Sequence, residues 1–299
     1  MDQQRYRVGP AGLILLAAVV LATGGLVLWV KSRPEQGQTL LRIRQTGIVR
    51  IGYANEDPYG YFDSATGKIT GEAPEIARVI LKRLGATQIE PVVTEFGSLI
   101  PGLKAGRFDV IAAGMFITPE RAKEIGFSNP TYAIGEAFLV ARGNPRNLHS
   151  FEDVAADEAA RIGVMGGSVE HKYCKLLGIS PDQVVVFPDY AAAVEGLKTG
   201  RVDAVAATLL TANELLNKAG SDLIERAEPF ADPVIDGQVV KSYGAFGFRK
   251  EDTALREAFN QQLAEFIGTS EHLDLVRPFG FDEKRLPGDM TAKEVIEGP

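Results

Sequence analysis

An arginine and a glutamate that follow two predicted strands are the residues best suited to binding chemistry. Arg121 comes just after the predicted strand Val110–Ala113, at the end of the run TPER that starts at Thr118. A guanidinium there can hold a carboxylate through two parallel hydrogen bonds. Glu56 comes shortly after the predicted strand Val49–Ala54, and its carboxylate suits a cation such as the amidinium of a cyclic amidine. The pair predicts a binding site for a small zwitterion.

Aromatic residues at the same predicted sheet edge could enclose that cation. Tyr59, Phe96 and Phe116 lie in loops or at the starts of elements. Aromatic faces attract delocalised cations and pack against rings, although aromatic residues at such places can equally fill a core. Phe96 is the best placed of the three because Tyr190 holds the matching position of an internal repeat.

A third group of candidates marks the start of a predicted helix in the second half of the chain. Gly167, Ser168 and His171 lie at this helix start. Backbone N–H groups at the positive end of a helix can bind an anion, and Ser168 can also cap the helix. We expect all three residues to contact the ligand.

Composition and cysteine count exclude several classes of function. The net charge is −7 without a basic patch, which argues against nucleic acid. Cys174 is the single cysteine, and the three histidines lie far apart, so neither a disulfide nor a metal site is predicted. Asp109 and Asp203 are repeat mates and are interpreted as structural. We therefore expect no cofactor, no metal and no catalytic residues.

A duplicated segment indicates how the chain is organised. Residues 96–114 read FGSLIPGLKAGRFDVIAAG, and residues 190–208 read YAAAVEGLKTGRVDAVAAT. In each copy the apolar spacing fits a helix that ends at a left-handed glycine, Gly106 or Gly200, and the run after the aspartate fits a buried strand. Two such units predict two similar α/β lobes with mostly parallel sheets. Ligands bind beyond the carboxyl ends of such strands, which places the site in a cleft between the lobes.

Two extended stretches are predicted to cross between the lobes. Residues 136–142 leave the first lobe and residues 243–248 return to it. Paired crossings act as a hinge for ligand-driven closure. The predicted domains are lobe 1 at residues 39–142 and 243–299, and lobe 2 at residues 143–242.

Residues 1–38 are predicted to be a signal peptide or membrane anchor. Val8–Val30 is an almost continuous apolar run preceded by Arg5 and Arg7. Such a run can span a hydrocarbon core of about 30 Å as a helix, with its amino terminus in the cytoplasm. We favour an uncleaved anchor, because the run is long for a signal peptide and lacks a clean A-x-A site. The remainder is expected to be periplasmic or extracytoplasmic, and tethered to the membrane if the helix is retained.

Six motifs, taken in order, make the chain resemble a known family. They are YANEDPY from Tyr53, GEAPEIA from Gly71, GRFD from Gly106, TPER from Thr118, FSNP from Phe127 and GRVD from Gly200. This pattern resembles the bacterial extracellular solute-binding proteins of the polar amino acid transporter group, family 3. The resemblance covers residues 40 to 280 and implies a two-lobed periplasmic-binding-protein fold of type II. It also implies the permease and ATPase subunits of an ABC importer as partners.

The phrases ANEDPYGY, EFGSLIPGL and GMFITPER are most similar to the ectoine- and hydroxyectoine-binding branch. The resemblance implies that Arg121 holds the ligand's carboxylate. In similar α-amino-acid binders the second repeat's strand leads to an aspartate that holds the ammonium, but here it leads to Thr208. Threonine leaves such a buried charge unpaired, at a cost of several kcal/mol. We therefore expect Glu56 to take the cation of a compatible solute, although Glu170 or Asp189 could hold an amino group instead.

Other functions stay open beside this one. A polar or basic amino acid could be the ligand of the same class of importer. A cyclohexadienyl-type dehydratase on the same fold would need a placed general acid, and Glu56 or Glu170 could serve. A receptor's sensor domain is disfavoured, because no second apolar span follows residue 38. The prediction is a binding protein and not an enzyme.

Overall fold

The structure is a computed structural model that describes residues 37–220 and 222–298. No helix within these ranges is long and apolar enough to cross a membrane. The predicted signal peptide or anchor at Val8–Val30 lies outside the described residues.

Strands and helices alternate along the described chain. The strands are β1 Ile48–Tyr53, β2 Tyr61–Asp63, β3 Lys68–Thr70, β4 Gln88–Val93, β5 Val110–Phe116, β6 Gly126–Phe127, β7 Tyr132–Ile134, β8 Glu136–Ala141, β9 Ile162–Met165, β10 Val184–Phe187, β11 Ala204–Thr208, β12 Ile224–Arg226, β13 Val234–Ile235, β14 Gln238–Val239 and β15 Ser242–Phe248. The α-helices are α1 Gln38–Thr46, α2 Glu72–Arg83, α3 Leu99–Lys104, α4 Pro119–Glu124, α5 Phe151–Ala156, α6 Val169–Leu176, α7 Tyr190–Lys198, α8 Leu209–Ala219, α9 Thr253–Phe266, α10 Ser270–Val276 and α11 Ala292–Glu297.

Two sheets of similar design form the two lobes. The first has the order β4-β1-β5-β15-β6, with β7 also paired to β15, and the second has the order β10-β9-β11-β8-β12. In each sheet three neighbouring strands are parallel, and an antiparallel strand follows at the same place, β15 in the first and β8 in the second. The predicted two-lobed α/β fold is confirmed.

The chain changes sheet earlier than predicted. β7 pairs with β15 in the first sheet, whereas β8 pairs antiparallel with β11 in the second. The first crossing is therefore at Gly135, and the predicted boundary at residue 142 is wrong. The sequence pattern indicated an extended stretch at β8 but carried no information on which sheet it joins. The second crossing precedes Ser242, next to the predicted residue 243.

The two repeat copies begin their neighbouring strands in the same way. Asp109 accepts a hydrogen bond from the backbone N–H of Arg50 at 3.0 Å. Its repeat mate Asp203 accepts one from the backbone N–H of Arg161 at 2.8 Å, just before β9. Both acids also form ion pairs with arginines. These contacts hold β1 in register beside β5 and β9 in register beside β11. Both acids therefore have a structural role.

Candidate functional site

Residues from the carboxyl ends of strands in both sheets meet around a small cavity between the lobes. We call it the inner recess, and its volume is about 20 Å³, room for about one water molecule. Its lining consists of Glu56, Tyr59, Phe96, Gly114, Phe116, Arg121, Met165, Ser168, Val169, Glu170, Tyr190 and Thr208. Seven predicted site residues are among them, namely Glu56, Tyr59, Phe96, Phe116, Arg121, Ser168 and Thr208.

The guanidinium of Arg121 lies inside the cleft rather than in bulk water. Its two terminal nitrogens donate to the carbonyl of Phe116 at 2.8 Å and to the carbonyl of Gly167, in the other lobe, at 3.0 Å. The guanidinium carbon lies 5.3 Å from the centre of the Phe96 ring. Thr118 does not line the recess, but its hydroxyl caps α4 by accepting from the backbone N–H of Arg121 at 3.2 Å. Thr118 therefore positions the arginine.

Glu56 reaches across the cleft from lobe 1. Its Oε1 accepts a hydrogen bond from the hydroxyl of Thr211, in the first turn of α8, at 2.9 Å. Its backbone pairs with that of Gly60 through two hydrogen bonds, so the loop holds the side chain in place. Desolvation, reinforced by the nearby Glu170 and opposed by the bond from Thr211, raises the pKa of the Glu56 carboxyl to about 8. This environment favours the protonated form of Glu56, and a cation placed beside the carboxyl would displace that proton.

The predicted aromatic residues belong to the packed core and also border the recess. Tyr59, Phe96 and Phe116 are all buried and line the recess with one part of their surface. Tyr59 stacks on Tyr132 with ring centres 5.3 Å apart, and Tyr132 contacts Phe116 edge to face at 6.1 Å. Packing of this kind fixes the ring positions before a ligand arrives, which favours recognition of a rigid solute.

Thr208 links the lobes through its hydroxyl. The hydroxyl accepts from Tyr59 at 2.8 Å and from the backbone N–H of Thr211 at 3.2 Å, where it caps α8. Both acceptor sites of the oxygen are therefore engaged by donors of the protein. Thr208 brings no negative charge to the recess.

The start of α6 differs from the prediction in part. Ser168 lines the recess and caps the helix by accepting from the backbone N–H of His171 at 3.3 Å. Gly167 contributes its carbonyl to Arg121 rather than an N–H to an anion. The side chain of His171 is exposed and does not line the recess, so its contact with a ligand stays a prediction. Its neighbour Glu170 takes the inward position instead, with 2% of its surface exposed.

A buried carboxyl at the hinge was missed by the sequence reasoning. Glu136 is the first residue of β8 and is 5% exposed. Its Oε1 accepts from the hydroxyl of Ser242, the first residue of β15, at 3.2 Å, and Ser242 also contacts the hydroxyl of Tyr173 at 3.2 Å. Burial and the adjacent Glu170 raise the pKa of Glu136 well above its ordinary value. The only available signal was an acid at the start of an otherwise apolar strand.

A larger cavity adjoins the recess. This outer cavity has a volume of about 510 Å³ and shares Glu56, Phe96, Met165 and Tyr190 with the inner recess. Its wall adds four acids and one lysine among the described residues: Asp57, Glu95, Asp189, Glu214 and Lys218. The outer cavity therefore presents a negatively charged approach to the recess.

Polar contacts between the lobes surround both cavities. Lys218 of lobe 2 pairs with Asp57 of lobe 1, and Lys172 of lobe 2 pairs with Glu120 of lobe 1. A ring-shaped solute is larger than the inner recess with the lobes in this position.

Sequence comparison assigns the chain to a family. The pattern of the bacterial extracellular solute-binding proteins, family 3, matches residues 49–280. The chain belongs to this family. A relative from Sinorhizobium fredii strain NGR234, named a probable amino-acid ABC transporter periplasmic-binding protein y4tE, is 40% identical over 96% of this chain and 93% of its own length. The histidine-binding periplasmic protein of Salmonella typhimurium is 30% identical over 78% of this chain and 88% of its own.

Solved structures of similar proteins share the fold over most of the chain. EhuB in complex with hydroxyectoine has a TM-score of 0.81 and 34% identity, covering 89% of this chain and all (100%) of its own. An ancestral amino acid-binding protein, described as a precursor of cyclohexadienyl dehydratase, has a TM-score of 0.70 and 26% identity, with 81% and 99% covered. An ancestral arginine-binding protein bound to arginine has a TM-score of 0.67 and 29% identity, with 78% and 98% covered. The two-lobed periplasmic-binding-protein fold is thereby confirmed.

Proposed function

We propose that this protein is the extracytoplasmic substrate-binding component of an ABC importer and binds a small zwitterionic compatible solute, ectoine or hydroxyectoine. The observation that carries the proposal is the placement of Arg121 and Glu56 on one aromatic-lined recess, with Thr208 in place of an acid. Its partners would be the permease and ATPase subunits, and it would stay attached to the membrane if the amino-terminal apolar segment is retained.

The carboxylate of the solute would bind Arg121. The guanidinium now donates to two backbone carbonyls, one of them across the cleft. A carboxylate is a stronger acceptor than a neutral carbonyl for a charged donor. When the lobes part, the bond to Gly167 is released, and the freed donors can take the ligand's oxygens in its place.

The cationic part of the solute would lie toward Glu56 and the aromatic rings. Phe96, Tyr59 and Tyr190 border the same recess as Glu56. A delocalised amidinium spreads its charge over a flat surface, which suits ring contacts together with a single carboxylate partner. A point-like α-ammonium would instead seek an acid at the position of Thr208, and Thr208 carries no charge.

Two comparisons support this proposal in different respects. EhuB is described in complex with hydroxyectoine and shares the fold over the full two-lobed region. The relative y4tE is named as a probable amino-acid ABC transporter protein, which supports the class of importer.

A basic amino acid is the second candidate ligand, and the acids of lobe 2 favour it. Glu170 and Glu136 add two carboxyl groups beside the recess. Arg121 is the only cation among the described residues that line it, so a zwitterion would leave the acids in excess. A ligand with a second positive charge would neutralise one of them. One similar structure is an arginine complex.

Calorimetric titration of the purified full chain with ectoine, hydroxyectoine, arginine and glutamine separates the candidates. The proposal expects saturable heat with ectoine or hydroxyectoine at a dissociation constant in the micromolar range or below, and at least tenfold weaker binding of arginine and glutamine. Tight binding of arginine without heat from ectoine would replace the first candidate with the second. Absence of heat from all four would contradict the proposed ligand class.

A further inference from the structure

Three carboxyl groups converge where the ligand site meets the hinge. Glu56 comes from lobe 1, Glu170 from the first turn of α6 in lobe 2, and Glu136 from the first residue after the crossing. Glu136 and Glu170 are nine-tenths or more buried. Arg121 is the only cationic group among the described residues of the inner recess. Three ionised carboxylates would therefore leave this region with uncompensated negative charge.

The surroundings of the cluster favour a proton on it. Glu170 lies beside Glu136 and raises its pKa, because two adjacent buried carboxyl groups are disfavoured from being ionised together. Glu136 Oε2 has no hydrogen-bond donor among the described residues. Glu56 receives one hydroxyl, from Thr211. The charged and titratable groups that face the cluster are Arg121, Tyr59 and Tyr132 from lobe 1, and Tyr173, Cys174, Tyr190 and Asp232 from lobe 2.

We propose that the carboxyl cluster of Glu56, Glu136 and Glu170 carries a proton that leaves when the cationic group of the ligand enters. Ligand capture is then an exchange of a proton for the ligand's positive charge. The proton passes from the carboxyl to water through the adjoining outer cavity, so charge and protons balance. This inference rests on the proposed function only in that the ligand has a cationic group.

The electrostatics of two members point the same way. Desolvation is the largest cause that raises the pKa of both Glu56 and Glu136, and Glu170 adds to it in each case. For Glu56 the pKa is about 8, so the group holds a proton at neutral pH. A cation in contact with it lowers the pKa, so the proton is released on binding. Affinity for a cationic or zwitterionic ligand should therefore rise with pH up to about 8 and then level off.

Calorimetry in buffers of different ionisation enthalpy measures the exchange directly. The probes are ectoine and arginine, each titrated at pH 7 into the full chain in phosphate and in Tris. We expect the apparent binding heat to change linearly with the buffer's ionisation enthalpy, with a slope of roughly one proton released per ligand. The Glu136→Gln variant should release less, whereas Glu152→Gln, at an exposed position of α5, should match the wild type. Heats that are the same in both buffers would overturn the proposal.

A measurement without ligand keeps the test independent of the ligand's identity. A carboxyl whose pKa is raised on folding stabilises the protein below the unfolded pKa and loses that contribution as pH rises through the folded value. Between pH 5 and pH 8 the melting temperature of the wild type should therefore fall relative to that of Glu136→Gln, by on the order of 5 °C. Parallel curves would count against the protonated cluster. If no probe gives heat but the curves diverge, the ligand class is wrong while the protonated cluster stands.

Discussion

The inner recess and the outer cavity share a wall but differ in how their charges are exposed. The recess measures only about 20 Å³ and is lined by Arg121, Glu56 and Glu170. The outer cavity measures about 510 Å³ and carries four further acids, of which Glu95 and Asp189 are exposed and Asp57 and Glu214 are half-buried. Interactions between buried charges are screened little by salt, whereas interactions between solvent-exposed charges are largely screened beyond about 10 Å at ordinary salt. The recess should therefore set affinity and ligand choice, and the outer cavity should set the rate of approach.

Loss of the Arg121 guanidinium is expected to have the largest effect. Arg121→Ala removes the proposed partner of the ligand's carboxylate, at an expected cost of about 3 kcal/mol or more, which is at least 100-fold in affinity. Calorimetric titration with the ligand that the wild type binds measures this loss of affinity. Arg107→Ala, which removes the same charge from an exposed position of lobe 1, is the matched control and should bind normally. Near-normal binding by Arg121→Ala would contradict the role of the recess.

Neutralisation of Glu56 should have the next largest effect. Glu56→Gln keeps an oxygen for the hydroxyl of Thr211 but loses the charge that faces the ligand's cation. We expect a loss of about 2 kcal/mol, or roughly 30-fold in affinity. A dissociation constant measured at pH 7 and at pH 8.5 sharpens the test, because the wild type is more fully ionised at the higher pH and the difference should widen. If the wild type binds with the same affinity at both pH values, the ligand's cation does not contact Glu56.

An acid in place of Thr208 should change ligand choice rather than abolish binding. Thr208→Asp supplies a carboxylate for an α-ammonium while keeping an oxygen that can accept from Tyr59. We expect affinity for glutamine or arginine to rise by roughly tenfold relative to ectoine, about 1.4 kcal/mol. Thr208→Asn, similar in shape but uncharged, is the control. If both variants shift preference equally, the effect is one of shape and not of charge.

The outer cavity should give the smallest change in affinity. Glu214→Gln removes one half-buried acid of the outer cavity, and we expect less than about a threefold change in the dissociation constant. Stopped-flow measurement should instead show slower association and a weaker dependence on salt. A loss of affinity comparable with that of Glu56→Gln would show that the outer cavity contributes to affinity and not only to the rate of association.

The sequence predicted the lobes and most of the recess for a clear physical reason. Buried strands, the helix ends at Gly106 and Gly200, and the TPER run are local patterns, and residues just beyond parallel strands meet at one edge. Both glycines adopt the expected left-handed conformation, with φ of 70° and 72°. Arg121 and Glu56 could therefore be placed at this edge of the fold without any long-range information.

The errors arose where the answer depends on distant parts of the chain. Neighbouring helix positions point about 100° apart, and only the packing of α6 decides that Glu170 faces inward while His171 is exposed. The apolar run of β8 could pair in either sheet, so the boundary at residue 142 was misplaced. Glu136 became recognisable as part of the site only when β8 and β15 were seen to cross beside Glu170.

A crystal structure of the full chain grown with saturating hydroxyectoine would test the central claim most directly. The account predicts the ligand's carboxylate about 3 Å from the guanidinium nitrogens of Arg121, with its amidinium toward Glu56 and the ring of Phe96. The bond from Arg121 to the carbonyl of Gly167 should be replaced. A ligand lodged in the outer cavity, with Arg121 still bound to Gly167, would contradict the account.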